Sequence, residues 1–205
     1  MTPTALANAV PMEGYFKTKG HVPGGVITNS KNEHFDIEAL APFLRVLLVT
    51  DGTVTKSLEA YFWEPIAVEN LGQSPVTLLH DVDWVGIRKG EVALQREVRL
   101  VGVDSGTVYA YAKSLLRLEF LPEQVRTDLL EGRIGIGELL RERGLETYRE
   151  VMDMGREMDE SLSSVFNTPR CGELLYRTYR VIMRGEPTIL ITEKFPHRQF
   201  ITGRI

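Results

Sequence analysis

The run Thr188-Ile189-Leu190-Ile191-Thr192-Glu193-Lys194-Phe195 decides the fold. Ile189, Leu190 and Ile191 are apolar and strand-forming, and Pro196 stops the run. Side-chain alternation sets Ile189, Ile191 and Glu193 on one face and Leu190, Thr192 and Lys194 on the other. Upstream, Cys171 to Arg184 has the same strand texture, and Arg184-Gly185-Glu186 is a turn, so the two runs predict an antiparallel hairpin. Glu193 shares its face with isoleucines, and a buried carboxylate is costly unless something pairs with it.

A matching cation stands in a second run, Val92-Ala93-Leu94-Gln95-Arg96-Glu97-Val98. There Leu94, Arg96, Val98 and Leu100 share one face, and Gln95, Glu97 and Arg99 the other. Two readings of Arg96 stay open: a bulge frees it to solvent, or it is a buried guanidinium that grips a ligand carboxylate in bidentate fashion. Glu193 likewise either reaches water or Arg180 at a strand end, or accepts a hydrogen bond from a substrate hydroxyl. Together the pair predicts a closed pocket for a small molecule with an acid at one end and a hydroxyl at the other.

Strand texture covers the middle of the chain as four runs: Pro65 to Leu71, Val76 to Ile87, Glu91 to Val103 and Thr107 to Leu118. Asp104-Ser105-Gly106 turns the last two into a hairpin. Leu40, Leu44, Leu47 and Leu48 recur at helical spacing within Asp36 to Val49, with Asp36 as the cap, and Thr53 to Trp63 reads as a second helix. Pro122 to Leu130 is a short helix starting at proline, and Gly132 to Arg143 is a glycine-rich loop opening into another. Leu145 to Met154 fits strand or helix. Strands that pair with sequence neighbours, with helices before and between them, predict a single α+β domain: an antiparallel sheet with helices on one face and a buried ligand cavity. Residues 1–33, broken by Pro3, Pro11, Gly20, Pro23, Gly24 and Gly25, read as a loosely structured arm ahead of a domain spanning 34–205.

Composition removes several function classes. A length of 205 residues suits one domain with a real core, and a net charge of −4 gives no general basic field for nucleic acid or anionic membrane. Cys171 is the single cysteine, so no intrachain disulfide forms, and His21, His34, His80 and His197 lack metal-ligand spacing. No run approaches the roughly 18 apolar residues of a membrane span, and no signal peptide is visible, so a cytoplasmic location is expected. Gly132-Arg133-Ile134-Gly135-Ile136-Gly137 does not follow a strand of a βαβ unit, so a dinucleotide site is not expected. Arg177 reads as a solvent-exposed strand residue, Arg180 as a partner behind the site, and Trp63 and Trp84 as core.

Four blocks, in order, resemble the chorismate pyruvate-lyase (4-hydroxybenzoate synthase) family, particularly the branch found in mycobacteria, archaea and cyanobacteria. They are Leu47 to Glu59 with Gly52-Thr53-Val54-Thr55; Leu94-Gln95-Arg96; Ala112-Lys113-Ser114-Leu115 running to Leu121-Pro122; and Tyr179-Arg180-Val181, Gly185-Glu186-Pro187 and Thr192-Glu193-Lys194-Phe195. The resemblance spans Ile37 to Phe195. It implies a cofactor-free lyase that converts chorismate to 4-hydroxybenzoate and pyruvate, with Arg96 on the ring carboxylate and Glu193 on the 4-hydroxyl. It also implies that Ala112 stands where the enterobacterial branch has a ligand-facing glycine. Ile136 stands where a backbone N–H touches the ligand, and Val54 replaces a pocket methionine. Lys113 and Arg180 are the candidates for the enolpyruvyl carboxylate. Two alternatives remain: a non-catalytic effector-binding domain like those of one group of bacterial transcription regulators, and a lyase scaffold acting on another chorismate-derived acid. The resemblance names no partner beyond the small-molecule substrate, and oligomeric state is not legible.

Overall fold

The computed structural model describes residues 10–11, 20–131 and 135–201. A six-stranded, fully antiparallel sheet organises them. Its strands are β4 (Ile66–Thr77), β5 (Val92–Gly102), β6 (Val108–Leu116), β7 (Thr147–Met158), β8 (Glu173–Met183) and β9 (Glu186–Pro196), in the order β4-β5-β6-β9-β8-β7. Two three-strand meanders thus meet at the β6–β9 seam, where Ala112 lies opposite Glu193. The hairpins expected across Asp104-Ser105-Gly106 and Arg184-Gly185-Glu186 are both present.

Four helices cover one face. α1 (Pro42–Val49) and α2 (Val54–Phe62) pack over one end of the sheet through Leu44, Leu47, Leu48, Val54 and Leu58, against Leu100, Ala110, Leu175 and Phe195. α3 (Glu123–Glu131) and α4 (Ile136–Glu142) cover the other end through Val125, Leu129, Leu139 and Leu140, against Leu94, Leu116, Val181 and Ile189. A gap is left between the two pairs. The opposite face is sealed by connections: Val85 and Ile87 pack on Ala93, and Leu162, Phe166 and Cys171 on Val101, Tyr111 and Leu174. Among the described residues no helix is long and apolar enough to cross a membrane.

Several expectations shift. α1 starts at Pro42 rather than Asp36, because the residue before proline is pushed out of the helical region; Ala41 has ψ 141°. Asp36 instead ends β3 (His34–Asp36), and its carboxylate accepts the Ala39 N–H. The two runs expected at Pro65 to Leu71 and Val76 to Ile87 are replaced by the single strand β4, which passes through Gly72 and Pro75 with a bulge between Asn70 and Gly72. An edge strand accepts proline, since its missing N–H faces no neighbour. Residues 78–91 then form a loop closed by one bridge, Val82 with Ile87. Trp63 is not core: it ends α2 in the left-handed region at φ 59° and is 89% exposed.

The described part of the expected arm is packed. β2 (Val26–Thr28) pairs with β3 across the anticipated boundary at residue 33, and in the backbone β1 (Val10–Pro11) runs parallel to β2. Val22 and Ile27 join the α1–α2 core. Ser30 donates through N–H and Oγ to the buried Asp153 carboxylate of β7, which also accepts from Tyr176. Residues 1–9 and 12–19 of that arm lie outside the described residues.

Candidate active site

The gap between the helix pairs is a cavity holding about 700 Å³ of empty space, counting its mouth. Its floor crosses all six strands: Val68 of β4; Arg96, Val98 and Leu100 of β5; Ala110, Ala112 and Ser114 of β6; Ile191 and Glu193 of β9; Tyr179 of β8; and Arg149 of β7. Gly52 to Thr55, leading into α2, wall one side, and Gly135 to Glu138, opening α4, wall the other.

Cross-strand rows give this floor its chemistry. Arg96, Ser114, Ile191 and Tyr179 lie side by side on β5, β6, β9 and β8. Val98, Ala112, Glu193 and Arg177 form the next row. Arg96 and Glu193 are therefore two interstrand steps of about 4.8 Å and one side-chain repeat of about 7 Å apart at the backbone. Their side chains enter one apolar space between them. Arg96 is 1% exposed and Glu193 7%. Burial pushes the Arg96 pKa down, yet a guanidinium remains charged at neutral pH.

The carboxylate of Glu193 is held by its own strand neighbours. Arg177 Nε donates to Oε2 at 2.7 Å, and Tyr179 OH donates to Oε1 at 3.1 Å. Arg177 lies directly opposite Glu193 in the β8–β9 ladder and is 1% exposed, so the solvent-exposed reading of Arg177 is overturned. Its Nη1 continues to the Thr50 carbonyl at 2.6 Å, fixing the turn between α1 and α2 against the sheet. Burial, followed by the charge of Glu193, raises the Tyr179 pKa, so the phenol stays a donor. Each carboxylate oxygen retains acceptor capacity after one bond. Glu193 can therefore still accept from a ligand hydroxyl.

Of the residues singled out from sequence, Arg96, Glu193, Val54, Ala112 and Ile136 line the cavity. Lys113 and Arg180 are not among its lining residues, because alternation turns them to the opposite face. Lys113 pairs with Glu97 at 3.4 Å, its cross-strand neighbour. Arg180 donates to Glu150 Oε2 at 2.7 Å and to the Trp84 carbonyl at 3.1 Å. Arg180 is thus not the partner of Glu193. Arg149, Ser114 and Tyr179 were missed as site residues. Parity was the available signal for Tyr179, since Leu175, Arg177, Tyr179 and Val181 alternate on one face. Gly132, Arg133 and Ile134 of the expected flap lie outside the described residues.

Comparison with known proteins follows the same lines. The profile of the Rv2949c-like chorismate pyruvate-lyases matches residues 48–201. The chain is 29% identical over 174 residues to the chorismate pyruvate-lyase of Mycobacterium leprae, covering 82% of this chain and 81% of that protein. It is 34% identical over 158 residues to the Methanocaldococcus jannaschii protein MJ0807, covering 75% and 78%. Among solved structures, the effector domain of PhnF from Mycobacterium smegmatis superposes with a TM-score of 0.57 at 13% identity, covering 73% of this chain and 91% of that one. A GntR-family transcriptional regulator from Bacillus cereus gives 0.52 at 12% identity, covering 68% and 97%. At such identities the structural likeness establishes the fold.

Proposed function

The chain belongs to the Rv2949c-like chorismate pyruvate-lyase family, and on that premise we propose that it cleaves chorismate to 4-hydroxybenzoate and pyruvate. The observation that carries this reading is the buried Arg96 and the buried Glu193, entering one apolar cavity from β5 and β9. Arg96 grips the ring carboxylate with its planar fork. Glu193, kept in place by Arg177 and Tyr179, accepts from the C4 hydroxyl across the ring. Val98, Ala112 and Ile191 bound the ring between them, and Val54 and Ile136 close over it from the two helix openings.

The chemistry asks little more than that placement. The bond from C3 to the ether oxygen breaks and the proton on C4 departs. Its electron pair forms the C3–C4 double bond, and the ring becomes aromatic. The enolpyruvate that leaves takes up a proton at its methylene carbon and becomes pyruvate. The reaction is redox-neutral and gains aromatic stabilisation. The site therefore acts by orientation, exclusion of water and fixed dipoles at the reacting end. The 4-hydroxyl gains acidity as the ring aromatises, so its bond to the Glu193 carboxylate strengthens along the reaction, as catalysis requires.

A second reading is favoured by the fold itself, which this chain shares with regulator effector domains. Such a domain binds its ligand and leaves it unchanged. Incubating the purified chain with chorismate, without added metal or nucleotide, separates the two. Chromatography should reveal 4-hydroxybenzoate and pyruvate in equal amounts. Tight binding of 4-hydroxybenzoate with chorismate recovered intact would replace the lyase reading with the effector reading.

A further inference from the structure

We propose that Arg149 is the cation that receives the second carboxylate of the substrate, the one on the enolpyruvyl arm, and so makes the site selective for two-acid ligands. The inference rests on the lyase reading above and adds a subsite to it. Arg149 sits on β7, opposite Val181 of β8, in the row that continues through Ile189 and Leu116 to Leu94. That row lies on the helix-covered face, and Arg149 lines the cavity. Its place in the strand order matters most. Arg96 on β5 and Arg149 on β7 flank Glu193 on β9, each two strands away. The ring carboxylate and the hydroxyl of chorismate are at opposite ends of the ring, and the enolpyruvyl ether is beside the hydroxyl. Along the strands Arg149 is two side-chain rows from Glu193, beyond the row of Arg96, so it lies to one side of the line from Arg96 to Glu193. With the carboxylate on Arg96 and the hydroxyl on Glu193, the ether arm on the neighbouring ring carbon branches off that line, toward β7.

The guanidinium is also held in a form suited to an anion. Arg149 Nη1 donates to the Asp51 carbonyl at 2.9 Å, which anchors one edge of the fork to the turn before α2. Among the described residues no carboxylate lies within ion-pair distance of it, whereas Arg177, Arg180 and Arg99 each have one. Gly137 lies beside the guanidinium: a Cβ there would be in ordinary contact, 3.4 Å from Arg149 Nη2 and 3.5 Å from Thr53 Cγ2. Glu138 also lines the cavity and pairs with Arg141 at 3.9 Å.

The test compares ligands with one and two acid groups. The probes are 4-hydroxybenzoate, and 3-(1-carboxyethoxy)-4-hydroxybenzoate as a stable diacid of substrate shape. Wild type should bind the diacid more tightly. Arg149→Gln should raise the KM for chorismate at least tenfold and abolish the diacid preference, with the Kd of 4-hydroxybenzoate unchanged within twofold. Arg149→Lys should recover part of the preference. Unchanged chorismate kinetics in Arg149→Gln would overturn the subsite and leave the lyase reading standing. A parallel loss of 4-hydroxybenzoate affinity would also overturn it, by showing that Arg149 serves only to hold the Asp51 turn. If wild type turns over no chorismate yet loses its diacid preference in the variants, the subsite stands and the lyase reading falls. Should Arg149→Gln not fold, Arg149→Lys carries the same comparison. A diacid preference reduced but not abolished there, with the KM for chorismate raised and 4-hydroxybenzoate affinity kept, supports a cation subsite, and an unaltered preference with an unchanged KM overturns it. A loss of affinity for both ligands overturns it.

Discussion

Removing Arg177 alone would strand the Glu193 carboxylate in the sheet, while removing both charges would not. Breaking one side of a buried ion pair costs about 3–5 kcal/mol, because the remaining charge is left without compensation. Arg177→Met should therefore lower unfolding stability in urea by that amount. The double variant Arg177→Met/Glu193→Gln should regain much of it, since a neutral amide is cheaper to bury. A double variant no more stable than the single one would show that Arg177 matters for its bond to the Thr50 carbonyl rather than for charge. Arg96 answers to activity instead. Arg96→Ala should leave a folded chain with kcat/KM for chorismate down roughly a hundredfold or more. Arg96→Lys should restore little, because an ammonium cannot reproduce the fork. Near wild-type kinetics in either variant would remove Arg96 from the site. Parity on β5 pointed to Arg96 without help from other strands. The same parity sets Arg177 on a face with Leu175, Tyr179 and Val181; only its pairing with Glu193 needed the neighbour strand.

At the scale of elements, the decisive feature is the irregularity in the β8–β9 hairpin. Met183 pairs with Glu186 next to the turn, but the register shifts between Val181 and Ile182, so Arg177 rather than Tyr176 stands opposite Glu193. A one-residue slip turns every side chain to the other face, and counting back from Arg184-Gly185-Glu186 without the bulge puts Tyr176 opposite Glu193 and Arg180 on the same face as Glu193. β7 shows how closely the N-terminal segment is fitted. A Cβ on Gly155 would come within 2.8 Å of Asn29 Nδ2 and 3.0 Å of the Tyr176 ring. Both side chains are tied into hydrogen bonds around Asp153 and Glu33. Gly155→Ala should thus destabilise the chain by about 1–3 kcal/mol, the range for overpacking, as read from the urea midpoint. On the sheet's other face, Lys194 Nζ bonds Asp159 Oδ2 at 2.8 Å and holds the Asp159 carboxyl below its ordinary pKa. A depressed carboxylate adds stability above its unfolded pKa and loses it as pH falls through the folded value. Lys194→Met should flatten the acid limb of the stability profile between neutral pH and about pH 3. An acid limb as steep as that of wild type would place the proton uptake elsewhere.

The whole molecule joins its site from pieces far apart in the chain: the turn before α2, β5, β6, the opening of α4, and the β7–β8–β9 meander. A ligand that bridges these pieces should stabilise the entire fold. At a hundredfold excess over its Kd, 4-hydroxybenzoate should add about 2.7 kcal/mol to unfolding stability. At the same concentration benzoate should add less, because it offers nothing to Glu193. Glu193→Gln should shrink the difference between the two acids. Equal stabilisation by both acids in wild type would mean that Glu193 does not read the hydroxyl.

The sequence by itself determined the α+β class, both tight hairpins, the four helices, the first of them starting six residues later than expected, and the apolar-face positions of Arg96 and Glu193. Each of these follows from local periods, turn chemistry or proline rules that act over fewer than about ten residues. It also carried the four ordered blocks by which the family was recognised. Only the tertiary structure decided what those residues meet. The β6–β9 seam and the strand order that sets Arg149 two strands from Glu193 are long-range features. Pairing register depends on which side chains pack across strands, so no local pattern encodes it. The same reason sent Lys113 and Arg180 to the far face. Residues next to a site in sequence alternate away from it in a strand, and the cation that completes the cavity came from the other edge of the sheet.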